Sequence, residues 1–126
     1  MTAETVLVVD DDRVMRLLCR RVLERGGYAV IEGKDGAEGM DLAMSRRPAV
    51  AIFDWEMPGM TGVEACRLLR GQPDLAGIIV VVLSGHDDDE HRAAALAAGA
   101  DDYLVKPIEP RRLVARVGEL VGARAA

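Results

Sequence analysis

Short runs of β-branched residues alternate with helix-like patterns five times along this 126-residue chain. The predicted strands are Thr5–Val9, Tyr28–Ile31, Val50–Phe53, Ile78–Leu83 and Tyr103–Val105. Strict alternation of strand and helix predicts a parallel sheet with helices on both faces, because each helix crosses over the sheet before the next strand. Runs as apolar as "IIVVVL" are typical of strands that are buried on both faces.

Apolar residues recur every three or four positions between the strands, which is the spacing of one helix face. The first, second, third and fifth helices are predicted from Met15, Leu18, Cys19 and Val22; Ala37, Met40 and Met44; Val63, Cys66 and Leu69; and Leu113, Val117, Leu120 and Val121. The fourth helix is alanine-rich and runs from about Asp89 to Ala98. Pro110 lies near the first turn of the fifth helix, where proline is well tolerated.

Charge and cysteine content exclude several classes of protein. The net charge is −5 and there is no basic run, which argues against direct binding to nucleic acid. Cys19 and Cys66 lie on apolar segments and form no disulfide framework, which is typical of a reduced cytoplasmic protein. No apolar run approaches the ~20 residues of a membrane span, and the N-terminus lacks a signal-peptide pattern. We therefore expect one cytoplasmic domain, residues 1–126, with no membrane partner.

Polar residues follow four of the five predicted strands. Asp10 and Asp11 follow the first strand, Asp54 the third, Ser84 the fourth and Lys106 the fifth. In open parallel sheets, ligands bind beyond the carboxyl ends of the strands. We expect these five side chains to gather at one edge of the sheet.

Three carboxylates at one edge favour a bound cation, because carboxylates within ~4–6 Å of one another cannot all stay charged at low cost. Mg²⁺ prefers oxygen ligands and usually takes one or two carboxylates, waters and a phosphate oxygen. A carboxylate can itself accept a phosphoryl group as an acyl phosphate. An ammonium group at Lys106 and a hydroxyl at Ser84 would then stabilise the phosphoryl oxygens.

Four motifs resemble the receiver domain of two-component response regulators. They are "VLVVDDD", "IFDWEMPGMTGVE", "VVLSG" and "GADDYLVKP", and the resemblance extends from about Thr5 to Val121. It implies a flavodoxin-like, doubly wound α/β fold with five parallel strands in the order 2-1-3-4-5 and five helices. It also implies a single-domain regulator similar to chemotaxis regulators, because only "GARAA" follows Val121.

The resemblance implies that Asp54 accepts a phosphoryl group from a histidine kinase or a histidine phosphotransfer protein. The chain would be a switch rather than an enzyme with its own substrate, although phosphotransfer and autodephosphorylation would be self-catalysed. A downstream protein would bind the face formed by the fourth helix, fifth strand and fifth helix. Mg²⁺, which Mn²⁺ could replace, would be held by Asp10, Asp11, Asp54 and the backbone carbonyl of Glu56.

Further roles follow from the same resemblance. Lys106 and Ser84 would contact the phosphoryl group, and the Lys106–Pro107 bond would be cis. Ser84 and Tyr103 would form the switch pair, in which the aromatic ring moves inward behind the hydroxyl group. Glu56 and His86 would flank the phosphoryl group and tune its lifetime.

Several residues of this region also have a purely structural interpretation. Asp12 is predicted to cap the first helix rather than bind metal, and the acidic run Asp87–Glu90 to cap the fourth helix. His86 and His91 are five residues apart, not the four that place two ligands on one helical face, and this spacing disfavours a transition-metal site. Lys106 is one of only two lysines beside fourteen arginines, which favours a specific role for its compact ammonium group.

Two other functions compete with the switch. "DDDRV" also resembles the nucleophile motif of haloacid dehalogenase phosphohydrolases, with Asp10 as the nucleophile. Such an enzyme needs a downstream acidic pair and usually a cap, whereas the later strands here end in a lone aspartate, a serine and Lys-Pro. The third interpretation is an adaptor receiver that is not phosphorylated.

Overall fold

The computed structural model describes residues 3–125, which form five strands and five helices in strict alternation. The strands are β1 (Thr5–Val9), β2 (Ala29–Gly33), β3 (Val50–Asp54), β4 (Ile79–Ser84) and β5 (Asp102–Val105). The helices are α1 (Arg13–Arg25), α2 (Gly36–Arg46), α3 (Gly62–Arg70), α4 (Asp89–Ala97) and α5 (Pro110–Ala125), with a short 3-10 turn at Pro73–Leu75. Each predicted element is present, and the ends of the strands differ from the predicted ends by at most two residues.

All four strand pairs are parallel, and the strand order is β2-β1-β3-β4-β5. This is the flavodoxin-like order 2-1-3-4-5, so the predicted fold is confirmed. Asp54 pairs with Leu83 and Ser84 pairs with Val105, which places the carboxyl ends of β3, β4 and β5 at one edge. In the described part of the chain, no helix is both long enough and apolar enough to cross a membrane.

Alternate residues of each strand contribute to two apolar layers. On β1, Leu7 and Val9 pack with buried residues of α2, α3 and α4, whereas Val6 and Val8 pack with α1 and α5. Both layers are largely aliphatic, and the strand residues Val6 to Val9 are at most 1% exposed. The strands are therefore covered on both faces, as their continuous apolar runs predict.

Most of the predicted face of α1 packs against the core, whereas α2 buries a different set of residues from the one predicted. On α1, Met15, Cys19 and Val22 pack in the apolar layer with the buried Leu23, and Leu18 is 51% exposed. On α2, Met44 is exposed, and the buried positions are Gly36, Gly39 and Ala43. Apolar periodicity does not predict the buried face of α2, because that pattern depends on large apolar residues, whereas this helix packs closely through glycine and alanine.

Candidate functional site

Three carboxylates meet beyond the ends of β1 and β3, as the strand-end argument predicts. Asp10 is 2% exposed and Asp54 is 6% exposed, whereas Asp11 lies in solvent. One oxygen from each of these three residues lies within 4.8 Å of the others. The donors of this acidic cluster, defined as Asp10, Asp11 and Asp54, are all oxygen atoms, which is the type of donor that Mg²⁺ prefers.

Lys106 places a positive charge inside the acidic cluster. Its Nζ lies 2.7 Å from Oδ1 of Asp54 and 3.3 Å from Oδ2 of Asp10. The other oxygen of Asp10 accepts a hydrogen bond of 2.9 Å from the Asp12 amide. The backbone N–H of Lys106 donates to the Ser84 carbonyl at 2.7 Å, which holds the end of β5 against the end of β4.

Burial and charge act in opposite directions on the pKa values of this cluster. Burial raises the pKa of Asp54, the hydrogen bond from Lys106 lowers it in part, and the nearby Asp10 charge raises it further. Burial also raises the pKa of Asp10, against the Asp12 amide and the Lys106 charge. Burial alone would lower the pKa of Lys106, but its hydrogen bond to Asp54 and the charges of Asp10 and Asp54 raise it overall. Ionising the two buried acids, Asp10 and Asp54, therefore costs free energy, and the protonated amine of Lys106 between them offsets part of that cost.

Ser84 and Tyr103 lie on neighbouring strands next to this cluster. Ser84 is fully buried, and its Oγ accepts a hydrogen bond of 3.1 Å from the His86 amide. Tyr103 is 1% exposed, and its hydroxyl donates to the His86 carbonyl. Both side chains are thus connected to the same residue of the loop between β4 and α4. The Lys106–Pro107 peptide bond at the end of β5 is cis.

The model of the response regulator receiver domain family matches residues 6–118. This chain belongs to that family. Receiver domains are signalling phosphoacceptors rather than classical enzymes, and they bind Mg²⁺ at an acidic pocket.

Relatives and solved structures agree with this assignment. The chain is 44% identical to the response regulator MprA of Mycobacterium tuberculosis over 116 residues, which cover 92% of this chain and 50% of MprA. A CheY-like receiver domain protein from Methanospirillum hungatei superimposes with a TM-score of 0.91 at 28% identity, covering 98% of this chain and 97% of that one. The chemotaxis protein CheY4 of Vibrio cholerae gives 0.88 at 32% identity, covering 93% and 98%. The chain spans about half the length of the curated relatives that it matches, such as MprA.

Glu56 and His86 lie opposite each other beside the acidic cluster. Oε1 of Glu56, in the loop after β3, is 2.8 Å from Nε2 of His86, in the loop after β4. Both side chains are about half exposed, at 57% and 48%. This contact therefore joins the loop after β3 to the loop after β4, next to Asp54.

The capping predictions agree with the structure. Asp12 accepts hydrogen bonds from the amides of Val14 and Met15 as the N-cap of α1. Asp88 caps α4 by accepting from the His91 amide. The spacing of His86 and His91 does not keep them apart, however, because their rings stack with centroids 4.0 Å apart. Helical spacing does not apply to this pair, because His86 lies in the loop before α4.

Two supports of the site were missed by the sequence reasoning. Arg16 donates to the Asp10 carbonyl at 2.6 Å and also pairs with Glu32. Gly62 lies so close to β3 that an added Cβ would be 2.5 Å from the Asp54 carbonyl oxygen.

Proposed function

We propose that this receiver domain is a phosphorylation switch in which Asp54 accepts a phosphoryl group from the histidine of a kinase or phosphotransfer protein. The observation that supports this most directly is the position of the Asp54 carboxylate. It lies at the buried end of β3, 2.7 Å from an ammonium group and beside two further carboxylates. A phosphoryl group bound there would meet a positive charge in a partly desolvated site, where that charge is most effective.

In the proposed transfer, a carboxylate oxygen of Asp54 attacks the phosphorus atom of phosphohistidine. A mixed anhydride forms, the phosphorus–nitrogen bond breaks, and the imidazole leaves with the bonding electron pair and takes up a proton. Lys106 offsets the charge on the phosphoryl oxygens. Asp10, Asp11, Asp54 and the Glu56 carbonyl would hold Mg²⁺, or Mn²⁺ in its place, which supplies further positive charge to those oxygens.

Asp54 is better suited than Asp10 to act as the nucleophile. Both oxygens of Asp10 are engaged, one by the Asp12 amide and the other by Lys106. Asp54 contacts Lys106 through Oδ1, and, unlike Asp10, its carboxylate accepts no hydrogen bond from a backbone amide of residues 3–125. This difference, together with membership of the receiver family, argues against a phosphohydrolase that uses Asp10.

The switch would pass through Ser84 and Tyr103. When the Ser84 hydroxyl turns to the phosphoryl group, it would give up the hydrogen bond that it accepts from the His86 amide. The carbonyl of His86 accepts a hydrogen bond from the Tyr103 hydroxyl, so a movement of His86 would reach Tyr103. Tyr103 also lines a groove of about 680 Å³ between α4, β5 and α5. We propose this groove as the downstream binding face; Arg92, Arg112, Arg116 and Glu119 are among its lining residues.

Glu56 and His86, which face each other across the site, would tune the rate of autodephosphorylation.

Phosphorylation with acetyl phosphate and Mg²⁺, followed by intact mass measurement, tests the proposal. We expect an adduct of about 80 Da, the mass of one phosphoryl group, that is absent from Asp54→Asn and when the metal is chelated. Asp41→Asn, which changes an exposed carboxylate of α2, is the matched control and should keep the adduct. Folded wild-type protein that stays unmodified would instead support the adaptor function. Turnover of a small phosphate ester that needs Asp10 but not Asp54 would support the phosphohydrolase. The single-domain organisation over residues 1–126 and the cytoplasmic location stay predictions.

A further inference from the structure

The two histidines of this chain lie together on the surface, next to the acidic cluster but separate from it. His86 comes from the loop between β4 and α4, and His91 from the first turn of α4. Their rings are nearly parallel, with 10° between the planes. One ligand atom of each ring and one carboxylate oxygen of Asp88 all lie within 4.8 Å of one another.

Both imidazoles already have a carboxylate partner. Nδ1 of His91 is 2.7 Å from Oδ1 of Asp88, and Nε2 of His86 is 2.8 Å from Oε1 of Glu56. The Glu56 carboxylate comes from a different loop, the one after β3. His86, Asp88 and His91 thus offer two nitrogen donors and one oxygen donor within 4.8 Å of one another. The Glu56 side chain, which contacts His86 and is more than half exposed, can turn to supply a second oxygen.

We propose that His86, Asp88 and His91, with Glu56 as the fourth ligand, form a Zn²⁺ site. A set of two imidazoles and two carboxylates suits the tetrahedral coordination of Zn²⁺. Mg²⁺ prefers oxygen donors, and the acidic cluster of Asp10, Asp11 and Asp54 offers only those. The two sites therefore differ in donor chemistry and should select different metals.

The position of this histidine cluster connects it to the rest of the receiver domain. The backbone of His86 binds Ser84 Oγ through its amide and the Tyr103 hydroxyl through its carbonyl. The ring of Trp55, which follows Asp54, lies 4.9 Å from the His91 ring. A cation held by these ligands would fix the loop after β3 against the loop after β4. Occupancy can be detected at Trp55, because it is the only tryptophan in the chain.

Titration of the intact chain with Zn²⁺ in the presence of excess Mg²⁺ tests the site. Calorimetry gives the stoichiometry, and Trp55 fluorescence reports the environment of His91. We expect one Zn²⁺ per chain, a change in the fluorescence, and binding at least about tenfold weaker in His86→Gln and in His91→Gln. Both rings are partly exposed, so these variants should fold, which far-ultraviolet circular dichroism checks. Cys19 and Cys66 are buried and should not compete for the metal.

Two variants show where the metal binds. Asp87→Asn changes an exposed neighbour outside the ligand set and should leave Zn²⁺ binding unchanged. Asp11→Asn removes an oxygen donor of the acidic cluster and should also leave it unchanged. Binding that is lost in Asp11→Asn but kept in both histidine variants would place Zn²⁺ in the acidic cluster and overturn the proposal. Absence of binding to wild-type protein would overturn it as well.

Discussion

Gly62 is the residue whose enlargement should most directly displace the phosphoacceptor. A Cβ at this position would lie 2.5 Å from the Asp54 carbonyl oxygen, 3.0 Å from its carbonyl carbon and 3.2 Å from Cα of Trp55. All three atoms belong to the backbone, so no side chain can rotate away. The strand cannot easily retreat either, because the Trp55 amide donates to the Leu83 carbonyl at 2.8 Å.

The cost of Gly62→Ala can be worked out from this geometry. Ordinary Cβ contacts begin at 3.4 Å, so α3 or the end of β3 must move by about 0.9 Å, the difference between 3.4 and 2.5 Å. Inserting a methyl group into a tightly packed site costs about 1–3 kcal/mol. The higher helix propensity of alanine stabilises the folded protein by at most about 1 kcal/mol, which offsets part of this cost. With the full gain in helix propensity subtracted, we expect the free energy of unfolding to fall by up to about 2 kcal/mol. Because a displacement near 1 Å at reacting atoms costs up to about 100-fold, we expect phosphorylation to slow by about 10- to 100-fold.

Urea unfolding and the rate of phosphorylation by acetyl phosphate with Mg²⁺ measure these two effects. Gly122→Ala is the matched control: Gly122 lies in α5, and an added Cβ there meets nothing within 4 Å. This variant should be more stable by up to about 1 kcal/mol and should be phosphorylated at the wild-type rate. A Gly62→Ala protein with wild-type stability and rate would refute the argument that this close approach positions Asp54.

Three further predictions concern packing and buried groups. Gly39→Ala should lower the free energy of unfolding by about 1–2 kcal/mol in urea, because its Cβ would lie 2.8 Å from Cγ2 of Val9; an unchanged value would show that α2 can shift. Arg70→Ala should lower the free energy of unfolding by about 2–3 kcal/mol, because the Arg70 guanidinium donates to the carbonyls of Gly99, Ala76 and Ile78 and to Asp101. Arg111→Ala, at an exposed position, is the control and should leave the free energy of unfolding nearly unchanged. Burial raises the pKa of Cys19 to about 11, so alkylation at pH 8 should be far slower in folded than in urea-unfolded protein. Because the folded state holds this thiol proton more tightly, stability should fall as the pH rises from 9 to 11, and a flat profile there would contradict the assignment.

The fold and the composition of the acidic cluster could be predicted from local patterns. Strand–helix alternation implies parallel strands, and parallel strands bring their carboxyl ends to one edge. Asp10, Asp54 and Lys106 each follow an apolar strand, so their proximity follows from topology without knowledge of any contact. Capping by Asp12 was equally local, because a cap acts on amides two or three residues away.

Contacts between loops, and the exact face of a helix, were decided only by the tertiary structure. The proximity of His86 to His91 and to Glu56 depends on how two loops fold over the ends of β3 and β4, and no periodicity describes a loop. The buried face of α2 depends on Gly39, whose role is to let two backbones approach and which hydrophobic patterning therefore does not register. Local sequence determines which elements form because hydrogen bonding and side-chain periodicity act over a few residues, whereas the distances between elements are set by packing over the whole domain.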